Sequence, residues 1–484
     1  MQQSISKIDY VTLFIILCSL LLRLWLCVNY YGWEESDYGN LAMIYGVWES
    51  GFTYYDMNHM PGYYFAAAIL YGLVQDSVIA GIAASMMGGM IAYLCAIGIV
   101  RELTGAKNAL LCAVLLALQP EWTLYSSSSL REPVYSAFIM MSLWCLLHQR
   151  TGWFTLFGVL AFSVRFEAPL FLLPIGGLFL PSRKEIFTML MAFGIGIGCW
   201  MLYCSFQYDT IQFWAHAASV NVETGGGGES QDAMSRWMHG FSIVLGLLFE
   251  MIPKHCGWGM LLGIMTIPIF WKSSKRMMLL WTWGILMLGL WLGVAFVAQH
   301  EVGHNLYWKW FYPVVPMLAI LTSISFGRFV ARLKRQKLVF ILFGMSILIP
   351  QGQELQRQFA LSKTLYGPQV QLGEWIEKQV SADVGLLVDN VPACWLKRKP
   401  NDWRLYSWFD VPEFQTPQEL LQWSVQNNIQ YVLYFEEEWT QAPSKAKFLH
   451  HPSQMASLAF ENVHLEFRQE ERSYGWILYE IVKK

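Results

Sequence analysis

The chain has 484 residues, 55% of them hydrophobic and only 14% charged, where soluble domains run roughly 45–50% apolar and about 25% charged; most of it therefore has to live in lipid. With 33 basic against 35 acidic residues and a formal net charge of −2, it has no basic field to hold a nucleic acid, so no nucleic-acid partner is expected. Of the nine cysteines, all but Cys394 fall in or beside apolar runs, so no disulfide framework is implied.

Apolar runs follow one another at about 8–30, 78–100, 108–125, 134–147, 152–164, 167–181, 186–206, 257–271, 277–298, 307–327 and 337–350. Several fall short of the ~20 residues that cross a bilayer as a helix, so the prediction is a polytopic α-helical membrane protein of about 11 spans, within a range of roughly 9–13. The first run carries Arg23 in its interior and ends without a small-residue cleavage pattern, which makes it an uncleaved anchor. Segments 101–107, 148–151, 182–185, 272–276 and 328–337 hold 13 Lys/Arg and two acids, whereas 31–60 has five acids and no Lys or Arg. Positive charge concentrates on the cytoplasmic side. The N-terminus is thus expected in the cytoplasm and the acidic loops outside, provided 61–75 and 241–252 lie along the membrane or dip into it. With 11 spans the C-terminal part is expected outside, periplasmic or extracellular, and the absence of any N-x-S/T sequon is in keeping with a bacterial inner (plasma) membrane.

The first outer loop, 30–77, is expected to carry juxtamembrane helices. It begins "YYGWEESDYGNLAMIYGVWESGFTYYDMNHMPGYYF" (30–65), with Glu34, Glu35 and Asp37 in four residues and Asp56 and His59 later. Carboxylates this close repel, which raises at least one pKa and suits a general base; an acidic loop that merely obeys topology is the plainer alternative. Next, "SLREPVYSAF" places Arg131 and Glu132 between two apolar runs, and "FSVRFEAPLFLLP" places Arg165 and Glu167 at the boundary of two more. Ionisable groups at such depth are costly unless paired or functional. The loop 207–240 contains "GGGG" at 225–228, a flexible segment or a mobile lid.

Further on, "VAQHEVGHNLYWKWFYPVVP" (297–316) contains His300, Glu301 and His304 in the zinc-protease spacing H-E-x-x-H, followed by Lys309 and Tyr312. A zincin also needs a third ligand, and no Asp or Glu lies between Glu301 and Glu354. From about 350 the composition changes. Residues 351–484 carry strand-like runs at 384–389, 429–435, 463–468 and 475–482 with helical stretches near 363–380 and 417–427. This reads as a small external α/β domain following a membrane domain over 1–350.

The order of acid cluster, aromatic loop, "MPGYYF", "SLREP", "VRFEAP" and "LYWKWFYPVVP" resembles the GT-C superfamily of polytopic glycosyltransferases over about residues 8–350. That superfamily includes the protein O-mannosyltransferases and the lipid A aminoarabinose transferases. In the family's acid-then-tyrosine pattern Glu34 takes the place of Asp and Tyr38 that of the tyrosine, leaving Glu35 and Asp37 as candidates. His59-Met60-Pro61-Gly62-Tyr63 matches the H-P-P or P-P-G-Y element with Met60 departing. Glu132 matches the second outer acid, Arg165-Phe166-Glu167-Ala168-Pro169 the R-P-E-G-like element, and Lys309 with Tyr312, Pro313 and Pro316 the late R-Y-x-x-P-x-x-P element, with Lys replacing Arg.

The resemblance implies transfer of a sugar from a polyprenyl-phosphate-linked donor to an acceptor hydroxyl on a lipid, glycan or protein at the outer face. Glu34, Glu35 or Asp37 would be the base, and Glu132 would orient the acceptor or a cation. Arg165, Lys309 and Arg131 would hold the lipid phosphate. Tyr38, Asp56, His59, Glu167, His300, Glu301, His304 and Tyr312 would line the substrate site among membrane lipids. Family members differ in metal dependence, so a divalent cation among the acids stays open. Two other classes remain as alternatives: a membrane zinc protease built on His300 and His304, and a lipid or solute transporter, against which the scarcity of charge inside the spans argues.

Overall fold

A computed structural model describes residues 7–29, 37–51, 60–208, 233–257, 260, 274–298, 311–333, 336–379, 384–388, 405–407, 411–435, 458–460, 463–473 and 476–483. Among the described residues, ten helices follow one another up to residue 208: α1 (Lys7–Asn29), α2 (Asp37–Glu49), α3 (Gly62–Val74), α4 (Ser77–Thr104), α5 (Ala106–Ala117), α6 (Pro120–Tyr125), α7 (Glu132–Leu147), α8 (Thr151–Val164), α9 (Ala168–Phe179) and α10 (Arg183–Tyr208). Then α11 (Ala233–Gly246) passes through a π-helical turn, Leu247–Met251, into α12 (Ile252–Cys256). The helical part closes with α13 (Lys275–Ala298), α14 (Val314–Val330) and the 44-residue α15 (Gln336–Gln379).

Five of the described helices are long and apolar enough to cross a bilayer, at Ile8–Asn29, Ser77–Thr104, Arg183–Phe206, Lys275–Gly293 and Leu338–Lys363, and six shorter apolar helices pack among them. The chain is a polytopic helical membrane protein. The expected run 108–125 is two helices, because Pro120 starts a new one and the Gln119 side chain accepts from the Trp122 backbone N–H to cap it. The stretch 61–75 is helical, as α3. Of the expected run 257–271, only Gly257 and Met260 are among the described residues.

The interior is set by close approach to α4. A Cβ at Gly88 would stand 2.6 Å from the Val134 backbone nitrogen, and one at Gly89 would stand 2.5 Å from Ser126 Cβ. The start of α7 and the turn before it therefore rest directly on the α4 backbone, as small residues permit between membrane helices. That turn, Ser126–Ser129, is wholly buried. Ser127 and Ser128 donate back to the Thr123 and Leu124 carbonyls, and Ser129 Oγ lies 2.9 Å from the Tyr63 hydroxyl. Ser126 receives the charge in the middle of the apolar stretch of α1: Arg23 Nε donates to its Oγ at 2.8 Å, while Nη1 donates to Ser19 and the guanidinium sits 5.7 Å from the Tyr93 ring. A cation buried at membrane depth is costly without such partners.

The C-terminal part forms one six-stranded sheet from β1 (Gly385–Val388), β2 (Leu405–Ser407), β3 (Ile429–Phe435), β4 (Leu458–Phe460), β5 (Val463–Ser473) and β6 (Trp476–Lys483), in the order β2-β1-β3-β6-β5-β4. β1 runs parallel to β2 and β3, and the remaining pairs are antiparallel. α16 (Pro417–Gln426), capped by Thr416 Oγ1, buries Leu420 and Leu421. All four expected strand runs are strands. β2 and β4, of three residues each, are too short to show an alternation. The helical stretch expected near 363–380 is the end of α15, which runs unbroken through Pro350 where the composition changes.

Candidate active site

Three charged side chains meet where α7 begins and α8 turns into α9. Glu132 opens α7, followed by Pro133, whose missing N–H costs nothing in a first turn; its carboxylate faces the positive end of the helix dipole. Arg165 follows α8 in an extended conformation, and Glu167 precedes α9 with Pro169 in the first turn. Each proline thus fixes a helix start beside a carboxylate.

Arg165 Nη1 donates to Glu132 Oε1 at 2.8 Å, and Arg165 Nε donates to Glu167 Oε1. The three side chains are buried, with residue exposures of 1% for Glu132, 7% for Arg165 and 3% for Glu167. Burial works against the Arg165 charge, yet Glu167 and Glu132 outweigh it and hold its pKa above the ordinary value. Arg131 Nε stands 3.7 Å from Glu132 Oε1 and reaches toward solvent. Tyr135, one turn into α7, places its ring 5.7 Å from the Arg165 guanidinium carbon. Its buried hydroxyl and Glu167 Oε2 have no hydrogen-bond partner among the described residues. Both residues line a crevice of about 20 Å³ beside Met287, Trp291 and Pro313, room for one water. Chemically, the corner fixes the rotamer of one carboxylate at a helix start and surrounds it with two guanidinium groups.

The sequence placed Glu132, Arg131, Arg165 and Glu167 in a common site, and the structure brings these four together. Two of the Arg165 donor nitrogens are committed to carboxylates, Nη1 to Glu132 and Nε to Glu167. Tyr312 is fully buried, stacked on Trp122 at 4.4 Å and on Tyr125 at 5.8 Å between ring centroids; it packs under the serine turn. Asp37 opens α2, and Tyr38 follows it, but their side chains lie outside the described residues. Glu34, Glu35, Asp56, His59, His300, Glu301, His304 and Lys309 also lie outside them. No group of three or more His, Cys, Asp or Glu fit to hold a metal occurs among the described residues.

Sequence reasoning missed Tyr135 and a second buried polar cluster. Glu121 at the start of α6 lies 2.5 Å from His255 Nδ1 in α12 and accepts from Gln358 in α15 at 2.9 Å. Glu354 of α15 completes this cluster, 3.6 Å from the same histidine nitrogen and held by Arg357. A signal was present: Glu121 is an ionisable residue inside what reads as a continuous apolar run.

No family model and no curated protein matches the chain. Solved structures do. The crystal structure of ArnT from Cupriavidus metallidurans bound to undecaprenyl phosphate is similar with a TM-score of 0.59 at 12% identity, over 98% of this chain and 97% of that one. The crystal structure of ArnT from Cupriavidus metallidurans in the apo state is similar with a TM-score of 0.56 at 11% identity, over 97% of each. The likeness spans the membrane helices and the C-terminal part alike, so the chain shares its overall fold with these structures.

Proposed function

We propose, from the fold shared with ArnT, that this chain is an integral membrane glycosyltransferase. It would move a sugar from a polyprenyl-phosphate-linked donor to an acceptor hydroxyl at the outer face of the membrane. The observation that carries the reading is the Glu132 carboxylate, set at a helix start and gripped by Arg165, inside a fold that in ArnT accommodates undecaprenyl phosphate. In this reading a carboxylate of the Glu34, Glu35 and Asp37 cluster takes the proton of the acceptor hydroxyl as its oxygen attacks the anomeric carbon. The phosphate departs toward Arg131 and Lys309. Glu132 orients the acceptor or a cation, and Arg165 serves it indirectly by fixing its rotamer.

The test is Glu132→Gln, nearly isosteric and neutral, in the full chain in nanodiscs supplied with undecaprenyl-phosphate-linked sugars and a bacterial lipid extract. Sugar transfer per folded molecule should fall by about 10²-fold or more, as expected for loss of a positioned catalytic group, with the folded fraction read from a thermal transition that shifts down but persists. Unchanged turnover would remove Glu132 from the site. Retained binding of undecaprenyl phosphate by Glu132→Gln, with loss in Arg131→Gln and Lys309→Gln, would separate acceptor orientation from phosphate binding.

A further inference from the structure

The second polar cluster borders an open cavity of about 440 Å³ whose rim includes Phe249, Glu250, Lys254, Pro350, Glu354 and Arg357. Two exposed apolar stripes run up to it. On α15, Leu338, Ile341, Leu342, Met345 and Ile349 are exposed, and the same face continues as Gln353 and Arg357. On α11 and the π-helical turn, Trp237, Met238, Phe241, Leu245 and Phe249 are exposed, and the chain continues as Glu250 and Lys254. Two faces that turn from apolar to charged at one place mark the level at which acyl chains give way to headgroups.

The charges at this rim are of both signs and only partly used. Arg357 donates Nε and Nη2 to Glu354 and, with its side chain 53% exposed, keeps Nη1 for another partner. Glu354 is satisfied by Arg357 and Gln358. Exposed Lys254 and Glu250 have no ion-pair partner among the described residues. What remains open is thus two cationic donors and one carboxylate above apolar walls. We propose that this cavity binds the headgroup of a zwitterionic aminophospholipid of the surrounding bilayer, its phosphate at Lys254 and Arg357 and its ammonium at Glu250. An anionic headgroup without an amine would leave Glu250 facing its negative charge. This site is separate from the Glu132 corner and does not rest on the transferase reading.

The test uses the full chain in nanodiscs of equal phosphatidylethanolamine and phosphatidylglycerol, released into the gas phase for native mass spectrometry. Wild type should retain one phosphatidylethanolamine per chain. Lys254→Gln and Glu250→Gln, both at exposed positions that the fold does not need, should each lower its retention about tenfold, the scale of losing one charge-assisted hydrogen bond. Arg357→Gln should do the same. Retention of phosphatidylglycerol in equal measure, retention unchanged by Lys254→Gln and Glu250→Gln, or no retained lipid at all would each overturn the proposal.

Discussion

Arg165 Nη1 and Glu132 Oε1 stand 2.8 Å apart in a buried contact between residues separated by 33 positions, and the same guanidinium binds Glu167 through Nε. One cation thus ties the start of α7 to the corner between α8 and α9, and two carboxylates depend on it.

Removing that cation takes a buried ion-pair partner from both carboxylates and leaves Glu132 with only the longer contact to partly exposed Arg131 besides its remaining neighbours. Arg165→Gln should destabilise the chain by about 3–5 kcal/mol, the scale for breaking a buried ion pair from one side. Arg165→Lys should recover only part of this, because a point charge cannot reproduce the two-sided fork. Thermal unfolding in detergent measures both, and a shift in Arg165→Gln no larger than in a surface Arg→Gln control would refute the clamp.

The Gly88 contact predicts a position-specific effect of a single methyl group. Gly88→Ala would put carbon against the Val134 backbone, which cannot yield as a side-chain tip can, so α7 must shift at a cost of about 1–3 kcal/mol. Gly194 has nothing within 4 Å of a built Cβ, and Gly194→Ala should be neutral or slightly stabilising. Equal melting temperatures for the two variants would contradict the packing described.

Tyr135→Phe removes a buried hydroxyl that has no partner among the described residues. Its stability should stay within about 0.5 kcal/mol of wild type, because no protein hydrogen bond is lost. A drop of more than about 1 kcal/mol would show that the hydroxyl has a partner worth that much, such as a water in the crevice shared with Glu167.

Ser126→Ala deletes the acceptor of Arg23 Nε. A charged donor left unsatisfied in the interior should cost about 1–3 kcal/mol, and Arg23→Met combined with Ser126→Ala should cost less than the two single changes added together. Additive losses would mean that the two side chains do not interact.

Much of this was legible in the sequence for simple reasons. Long apolar runs declare helices, and Glu132, Arg165 and Glu167 stand out because ionisable groups between apolar runs are rare. What periodicity cannot show is which distant charge meets which. Glu121 finds His255 at a separation of 134 and Gln358 at 237 positions, and nothing local to any of them announces the other two. The helix α15 also escaped, since a change of composition at Pro350 does not by itself end a helix whose backbone bonds continue.

The Arg23 contact has an implication for how the chain is made. Arg23 enters the bilayer in the first span together with Ser19, but the acceptor of its Nε, Ser126, lies 103 positions later, so the ribosome delivers the charge well before that second partner exists. At the centre of an inserting helix an arginine carries a penalty of roughly 2.5–3.5 kcal/mol. The span that bears it is the most apolar of the five long ones, which lets the nascent helix partition into lipid despite that charge. Until α6 arrives, the acceptor at hand is Ser19 of the same helix, one turn away. Membrane integration of α1 and its final seating are therefore separate events in time, divided by the synthesis of the chain through α6.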